Sequence, residues 1–341
     1  MGVKLTELLP REEINYDKLA GKVVVFDGHL VLYQFISSIR QPDGTLLMDS
    51  KGNVTSHLVG LFSRTTNLME KGLKPCFVFD GKPPALKARV IEKRSSMKLE
   101  AGKKYEAAQK EEDEQAMRKF AARTSRLTAG MLAEAQKLIE GLGLPWVQAP
   151  SEGEAQAAAI AKDNRAFAVA TQDADALLFG APRLVRNLSV SERRKSTNAL
   201  AFSVVKPELV ILSNVLHELS LNQEQLIALA MLIGTDYNPG GIKGIGPKKA
   251  LALVRKHKDF DALFREANWA FEHTWKEVFD TFRDIPVVTD YELEWKKVDR
   301  DKVMKLLVEE HDFSESRVEK TLQSLDEKGA DAQKGLGSWI K

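Results

Sequence analysis

Seven carboxylates in this chain are spaced so that they could act together. Asp27, Asp80 and Asp173 each close a short β-rich run: Lys22-Val-Val-Val-Phe-Asp27, Cys76-Phe-Val-Phe-Asp80 and Ala166-Phe-Ala-Val-Ala-Thr-Gln-Asp173. Open α/β sheets bind ligands beyond the carboxyl ends of their strands, so three strands would deliver acid to one edge. Asp175, two residues past Asp173, points the same way if the chain stays extended. Glu152 and Glu154 follow another short run, Pro145–Gln148, and Asp236 lies in Gly234-Thr-Asp-Tyr-Asn238. Crowded carboxylates repel one another unless cations lie between them. Oxygen donors without His or Cys suit Mg²⁺ or Mn²⁺ rather than zinc. Each acid also has an ordinary alternative. Ser151 and Glu154 fit a capping box for a helix over 152–162, Asp173 fits an N-cap, and Asp236 an Asx-turn.

The elements that must position these acids alternate between strand and helix. The strand-like runs are apolar at nearly every position, as expected for a parallel sheet covered on both faces. Helical patterns fall at Val54–Lys71 and at Thr128–Glu140, the latter closed by Gly141. Residues 183–206 add strands around the polar turn SERRKSTN. From about Leu221 the pattern is helical, with Trp269, Phe271, Trp275 and Phe279 as packing residues. The fold class is α/β, with a mostly parallel central sheet and helices on both faces.

Composition narrows the class further. The 341 residues carry 50 Lys+Arg against 48 Asp+Glu, and 43% are apolar, enough for a sizeable core. The longest apolar segment, Leu226–Ile233, falls far short of the ~20 residues that span a bilayer. The N-terminus MGVKLTELLPREE lacks a long apolar stretch, which argues against secretion and for an intracellular protein. A single cysteine, Cys76, excludes an internal disulfide. The near-neutral total hides two basic patches. Lys82 to Lys104 carries a net charge of +6, leaving −4 on the rest, and Lys243, Lys248, Lys249, Arg255, Lys256 and Lys258 have no acid among them. Such patches on a slightly acidic body mark a polyanion partner, against the alternative of solvated helix surface. Lys87 and Arg94, seven residues apart, fall within about 20° of two full turns and share a helix face. The six histidines form no cluster, and His29 reads as structural.

VVVFDGHLVLYQF, FVFDGKPPALKA, APSEGEAQAA, ATQDADALLFG and LIGTDYNPGGIKGIGPKKAL resemble, in this order, the flap endonuclease family of structure-specific 5′ nucleases. The likeness runs from Met1 to about residue 325 and is nearest to archaeal members. It implies a PIN-like 5′-nuclease domain over 1–325, with an N-terminal region to about 98 and a helical arch at about 82–130. An internal region at about 140–260 would contain a helix–hairpin–helix at 225–260. It implies that Asp27, Asp80, Glu152, Glu154, Asp173, Asp175 and Asp236 hold two Mg²⁺ ions, with Mn²⁺ able to substitute. Such a pair lowers the pKa of water and neutralises charge on the attacking and leaving oxygens of a phosphodiester. In the family, the positions of Lys87 and Arg94 contact the scissile phosphate, and that of Tyr33 stacks on a base near the cut.

Gly241-Ile-Lys-Gly-Ile-Gly-Pro-Lys-Lys249 is similar to the family's phosphate grip, in which Gly244, Gly246, Lys248 and Lys249 would hold duplex DNA, with a monovalent cation nearby. Gly2 would lie near the DNA junction, so the match of Met1–Thr6 to a myristoylation pattern is set aside. After a linker at 326–332, a tail at 333–341 matches the motif for a PCNA-type sliding clamp through Gln333, Leu336, Trp339 and Ile340. Ile340 replaces an aromatic there, and Gly335 and Gly337 disfavour the helical turn. The expected protein is a monomeric, cytoplasmic enzyme (nuclear in a eukaryote) that cuts 5′ flaps of branched DNA in replication and repair, with 5′–3′ exonuclease activity and no membrane contact. A clamp-recruiting junction scaffold and a PIN-type ribonuclease are the alternative classes.

Overall fold

The apolar runs become central strands because both sides of the sheet are covered. In the computed structural model, which describes residues 5–41, 43–110, 120, 126–188, 193–195 and 202–337, Val25, Cys76, Val78, Val169 and Leu184 face one hydrophobic cluster. Their neighbours Val24, Phe26, Phe77, Phe79, Ala168 and Val185 face the other. Successive strand residues point to opposite faces, so a two-sided core demands apolar residues at every position. Truncating a ring such as Phe26, which is 2% exposed, to Ala costs about 3–5 kcal/mol.

The sheet has seven strands in the order β1-β9-β6-β5-β2-β3-β4. They are β1 (Glu12–Glu13), β2 (Val23–Asp27), β3 (Lys74–Phe79), β4 (Trp146–Gln148), β5 (Ala168–Ala170), β6 (Arg183–Arg186) and β9 (Glu208–Ile211). The five strands from β6 to β4 run parallel, whereas β9 is antiparallel to both β6 and β1. A separate hairpin joins β7 (Arg193–Lys195) to β8 (Phe202–Val204). Strand β7 therefore lies inside the SERRKSTN run that was expected to turn, and arginine and lysine sit there in a two-stranded ribbon outside the main sheet.

Helices α1 (Tyr16–Leu19), α2 (Gly28–Ser38), α3 (Ser56–Glu70) and α4 (Ala88–Lys110) come first, with a 3₁₀ turn, Ala85–Lys87, leading into α4. They are followed by α5 (Ala129–Gly141), α6 (Gly153–Lys162), α7 (Asp175–Leu178), α8 (Leu212–Leu219) and α9 (Gln223–Ile233). Then come α10 (Pro247–Lys256), α11 (Phe260–Glu266), α12 (Trp275–Arg283), α13 (Arg300–Met304) and α14 (Glu315–Gly337). Buried residues of α2, α3, α5 and α14 pack on one face of the sheet, and those of α6, α7 and α9 on the other. Thr128 caps α5 through the Met131 amide. The helix runs through Gly141 and stops at Gly143, whose φ of 70° suits the left-handed turn that ends a helix. Trp269, Phe271, Trp275 and Phe279 pack in one aromatic network with Phe260 and Phe264. Their assignment to packing holds.

Two stretches differ from the sequence expectation. Residues 285–299 carry no helix among the later helices, and they bind instead through Val288 to Gln156 and through Lys296 to Gly143. Residues 326–332, expected as a linker, continue as helix inside α14. Glu327, Lys328, Ala330 and Ala332 are good helix formers, and Gly329 alone does not stop the helix. Among the described residues, no helix is long and apolar enough to cross a membrane.

Candidate active site

Register brings the acids together. Asp27 stands level with Val78 across the β2–β3 pair, so Asp80 lies two residues further along the same edge. Phe26 is level with Ala170, and Phe79 with Gln148, which places residues 149–154 and 171–175 at that edge too. Gly81 N donates to Ser151 O at 2.7 Å, clipping the end of β3 to the start of α6. Gly153 N donates to Asp80 Oδ1 at 2.6 Å, and a Cβ at 153 would stand 2.7 Å from that same oxygen. Glycine between Glu152 and Glu154 is thus what lets the Asp80 carboxylate reach the α6 backbone.

The ordinary alternatives for these acids are mostly not taken up. Glu152, not Ser151, is the N-cap of α6, and its side chain makes no capping bond, so the capping box is absent. The N-cap of α7 is Ala174 rather than Asp173. In the 234–241 loop Asn238, not Asp236, accepts from Thr235. Only Asp27 also caps, accepting the Leu30 amide at 3.0 Å.

Burial and mutual repulsion dominate the electrostatics. Burial first, then the Asp80 charge, raises the Asp27 carboxyl to about 8 against the two amide bonds it accepts from Leu30 and His29. Burial and then Asp175, Asp27 and Asp173 hold Glu154 well above the ordinary glutamate range. Thr171 Oγ1 donates to Glu154 Oε1 at 3.4 Å and accepts the Asp173 amide, tying β5 to α6. Asp175 is buried at the start of α7.

Two cations from the overhanging segment reach into this basin. Lys87 Nζ bonds Glu152 Oε2 and lies 3.4 Å from Asp236 Oδ2, and Arg94 Nη2 is 2.7 Å from Asp236 Oδ1. Burial alone would lower the Lys87 pKa, but Glu152, Asp236 and Glu154 outweigh it and raise it. Burial raises Glu152 in spite of Lys87, with Asp80 and Asp236 adding to the rise. The shared helix face of Lys87 and Arg94 is realised at the junction of the 3₁₀ turn and α4, and both reach the same carboxylate.

Some residues that sequence reasoning passed over also belong here. His29 Nδ1 accepts the Asp80 amide at 3.0 Å, a structural role as expected, yet Asp27, His29 and Asp80 bring ligand atoms within 4.8 Å of one another. Tyr237 packs its ring on Phe282 and under Lys87 Nζ. Its hydroxyl is buried and has no hydrogen-bond partner among the described residues. Its position next to Asp236 was the one sequence signal. Buried, mutually repelling oxygen donors beside an unpartnered hydroxyl form a set that fits hard divalent cations.

The outer elements are spread more widely. Tyr33 is half-buried on α2, with Lys98 Nζ 4.6 Å from its ring centre and 3.4 Å from its hydroxyl. It is neither a core residue nor among the acids. The hairpin between α9 and α10 holds Gly244 at φ 80° and Gly246 as the α10 N-cap, with Lys248 and Lys249 exposed in the first turn. Gln333 and Leu336 lie on the helical backbone of α14. Gly2, Trp339 and Ile340 lie outside the described residues, as does part of the 82–130 arch.

A parallel sheet rimmed with acid and overhung by a cationic segment is the frame of a metal-dependent nuclease. Two family models match, the XPG N-terminal domain over residues 1–101 and the XPG I-region over 143–236. Flap endonuclease 1 of Hyperthermus butylicus is 50% identical over 349 residues, and that of Staphylothermus marinus 48% over 351, each alignment covering 100% of both chains. The solved flap endonuclease-1 from Methanococcus jannaschii superposes with a TM-score of 0.75 at 40% identity, covering 97% of this chain and 100% of that one. This chain belongs to the flap endonuclease family.

Proposed function

We propose that this chain removes 5′ flaps from branched DNA during lagging-strand maturation and repair, by hydrolysis at the acid basin, with 5′–3′ exonuclease activity as well. The observation that carries the reading is the convergence of acids from β2, β3, α6, the β5–α7 segment and the 234–241 loop, with Lys87 and Arg94 bonded into them. Asp27, Asp80, Glu152, Glu154, Asp173, Asp175 and Asp236 would hold two divalent cations, Mg²⁺ by hardness, with Mn²⁺ as substitute. Bound there, the cations supply the Lewis acidity that activates water and offsets charge on the leaving oxygen. Lys87 and Arg94 turn their charge to the scissile phosphate, where it counts most in a water-poor cleft. Tyr33 offers a ring face on which an unpaired base near the cut would stack. Gly244, Gly246, Lys248 and Lys249 grip duplex backbone without reading sequence, so binding weakens as salt rises. A monovalent cation at that hairpin, Gly2 at the junction and clamp docking through Gln333, Leu336, Trp339 and Ile340 complete the reading. The same reading takes residues 1–325 as one nuclease unit acting as a cytoplasmic monomer.

The test is labelled flap DNA incubated with Mg²⁺ and, separately, with Ca²⁺. Cleavage in Mg²⁺ and binding without cleavage in Ca²⁺ is expected; binding without cleavage in Mg²⁺ would make the protein a junction scaffold. Faster cleavage of RNA than of DNA flaps would favour a ribonuclease. Asp80→Ala is expected to keep flap affinity within about tenfold while hydrolysis collapses, because the acid serves the chemistry rather than docking.

A further inference from the structure

The Tyr237 hydroxyl is the group in the basin that neither packing nor the assigned roles explain. The loop that carries it is firmly held. Tyr237 N donates to Thr235 Oγ1 at 3.1 Å, Asn238 Oδ1 accepts from Thr235 Oγ1 at 2.7 Å, and Asn238 Nδ2 donates to Met231 O at 2.7 Å. The ring meets Phe282 edge-on at 4.9 Å, a contact that phenylalanine would make equally well. The residue is 5% exposed, and its Oη has no hydrogen-bond partner among the described residues. A phenol is an O–H donor at neutral pH. The ring lies under Lys87 Nζ, which bonds Glu152 Oε2 and stands 3.4 Å from Asp236 Oδ2, so the hydroxyl is buried beside the acids with no acceptor in bonding range among the described residues. A buried hydroxyl left unpaired carries the full desolvation cost of an unmade bond.

We infer that Tyr237 is a positioning residue of the metal site, its hydroxyl donating to water held between the acids when a divalent cation is bound. This rests on the reading of the basin as a metal site. Lys87 Nζ lies 5.4 Å from the ring centre and competes for Glu152 and Asp236, so Tyr237 sits where cation entry and release of Lys87 meet. Its hydrogen bond is made only on the cation-bound side of the equilibrium, and that asymmetry fixes the sign of each outcome.

The experiment compares wild type, Tyr237→Phe and Phe282→Leu as full-length protein without DNA. Mn²⁺ binding is titrated calorimetrically, and guanidinium unfolding is measured in chelator. Tyr237→Phe is expected to be as stable as wild type in chelator, or more so, because it sheds an unpaired polar atom. Its Mn²⁺ affinity should fall roughly tenfold, the size of one neutral hydrogen bond. Phe282→Leu should show the reverse, lower stability with wild-type affinity. Equal Mn²⁺ affinity in wild type and Tyr237→Phe overturns the inference. So does a loss of stability in chelator, which would mean that the hydroxyl is bonded within the fold. Failure of wild type itself to bind Mn²⁺ would sink the metal-site reading instead.

Discussion

Removing divalent cations should make this protein lose stability as the pH rises, and Asp27 sets the sign. Its folded-state carboxyl titrates at about 8, against an ordinary value of 3.8. Between those limits the folded protein holds a proton that the unfolded chain has already released. Unfolding free energy therefore falls by about 1.4 kcal/mol for each pH unit in that window. From about pH 5 to about pH 7 Asp27 alone would cost about 3 kcal/mol, a large share of a typical ~5–15 kcal/mol margin. Glu154, raised by burial and its acidic neighbours, pushes the same way. On the proposed metal site, a divalent cation would take the place of the proton, so stabilisation by Mg²⁺ should grow with pH and the slope should flatten.

The assay is guanidinium unfolding at several pH values, in chelator and in Mg²⁺, on wild type and Asp27→Asn. The amide keeps an oxygen for the Leu30 N–H and cannot ionise, so the variant should lose Asp27's share of the slope. A wild-type profile in chelator that is flat from about pH 5 to about pH 7 would refute the reasoning. So would an Asp27→Asn profile that keeps the full wild-type slope.

Three further outcomes follow from named contacts. Gly153→Ala places a methyl 2.7 Å from Asp80 Oδ1, and single-turnover cleavage should drop at least tenfold. Its unfolding midpoint should change little, since alanine's better helix propensity, below its interior value of about 1 kcal/mol at this first helical position, offsets displacement of the Asp80 carboxylate. Lys87→Ala should cost about 2–4 kcal/mol in the chemical step, by analogy with losing one oxyanion donor. It should also tighten Mn²⁺ binding in titrations without DNA, because the ammonium no longer competes for Glu152 and Asp236. Asp49 is held down to about 2, against the opposing effect of burial, by the Asn53 side chain and amide, His311 and the Lys51 amide. Its contribution is complete above about 3.8 and is lost as the pH falls towards 2, so Asp49→Asn should be less stable near neutrality with a shallower acid-side decline.

How much of this was legible in the sequence depends on what kind of information each feature needs. The strands β2, β3 and β5 were readable because a two-sided core forces an apolar residue at every position, and an acid marks the carboxyl end of each run. Convergence of those acids followed from one topological rule about parallel sheets. The helix start at Glu152 was harder, since Ser-Glu-Gly-Glu satisfies a capping pattern as well as it satisfies a site. The N-cap at Glu152, which makes no capping bond, and the Asp80–Gly153 contact, between segments 73 residues apart, decide between the two. Helix α5 ends one residue later than expected, at Gly141 rather than Glu140, because Gly141 and Gly143 are both plausible stops and φ selects the second. The stretch expected as a linker is helical because most of its residues favour helix, so charge and a single glycine were weak evidence for a break.

Charge balance in the basin is the feature least accessible to residue-by-residue reading. Lys87 and Arg94 were expected to face a phosphate, yet here they bond Glu152 and Asp236. The two roles are connected rather than contradictory. On the proposed roles, a cation that faces DNA would need a counter-charge when the DNA is gone, which the acids provide, and the acids in turn would need positive charge when no metal is bound. A phosphate and a divalent cation entering together can exchange those partners with little change in net charge, whereas either one alone leaves a buried ion unpaired. It follows that metal and flap should bind cooperatively, each raising the affinity for the other by the same factor. Calorimetric titration of Ca²⁺ with and without flap DNA measures that factor. If Lys87 and Arg94 are the link, replacing both with alanine should bring it close to one.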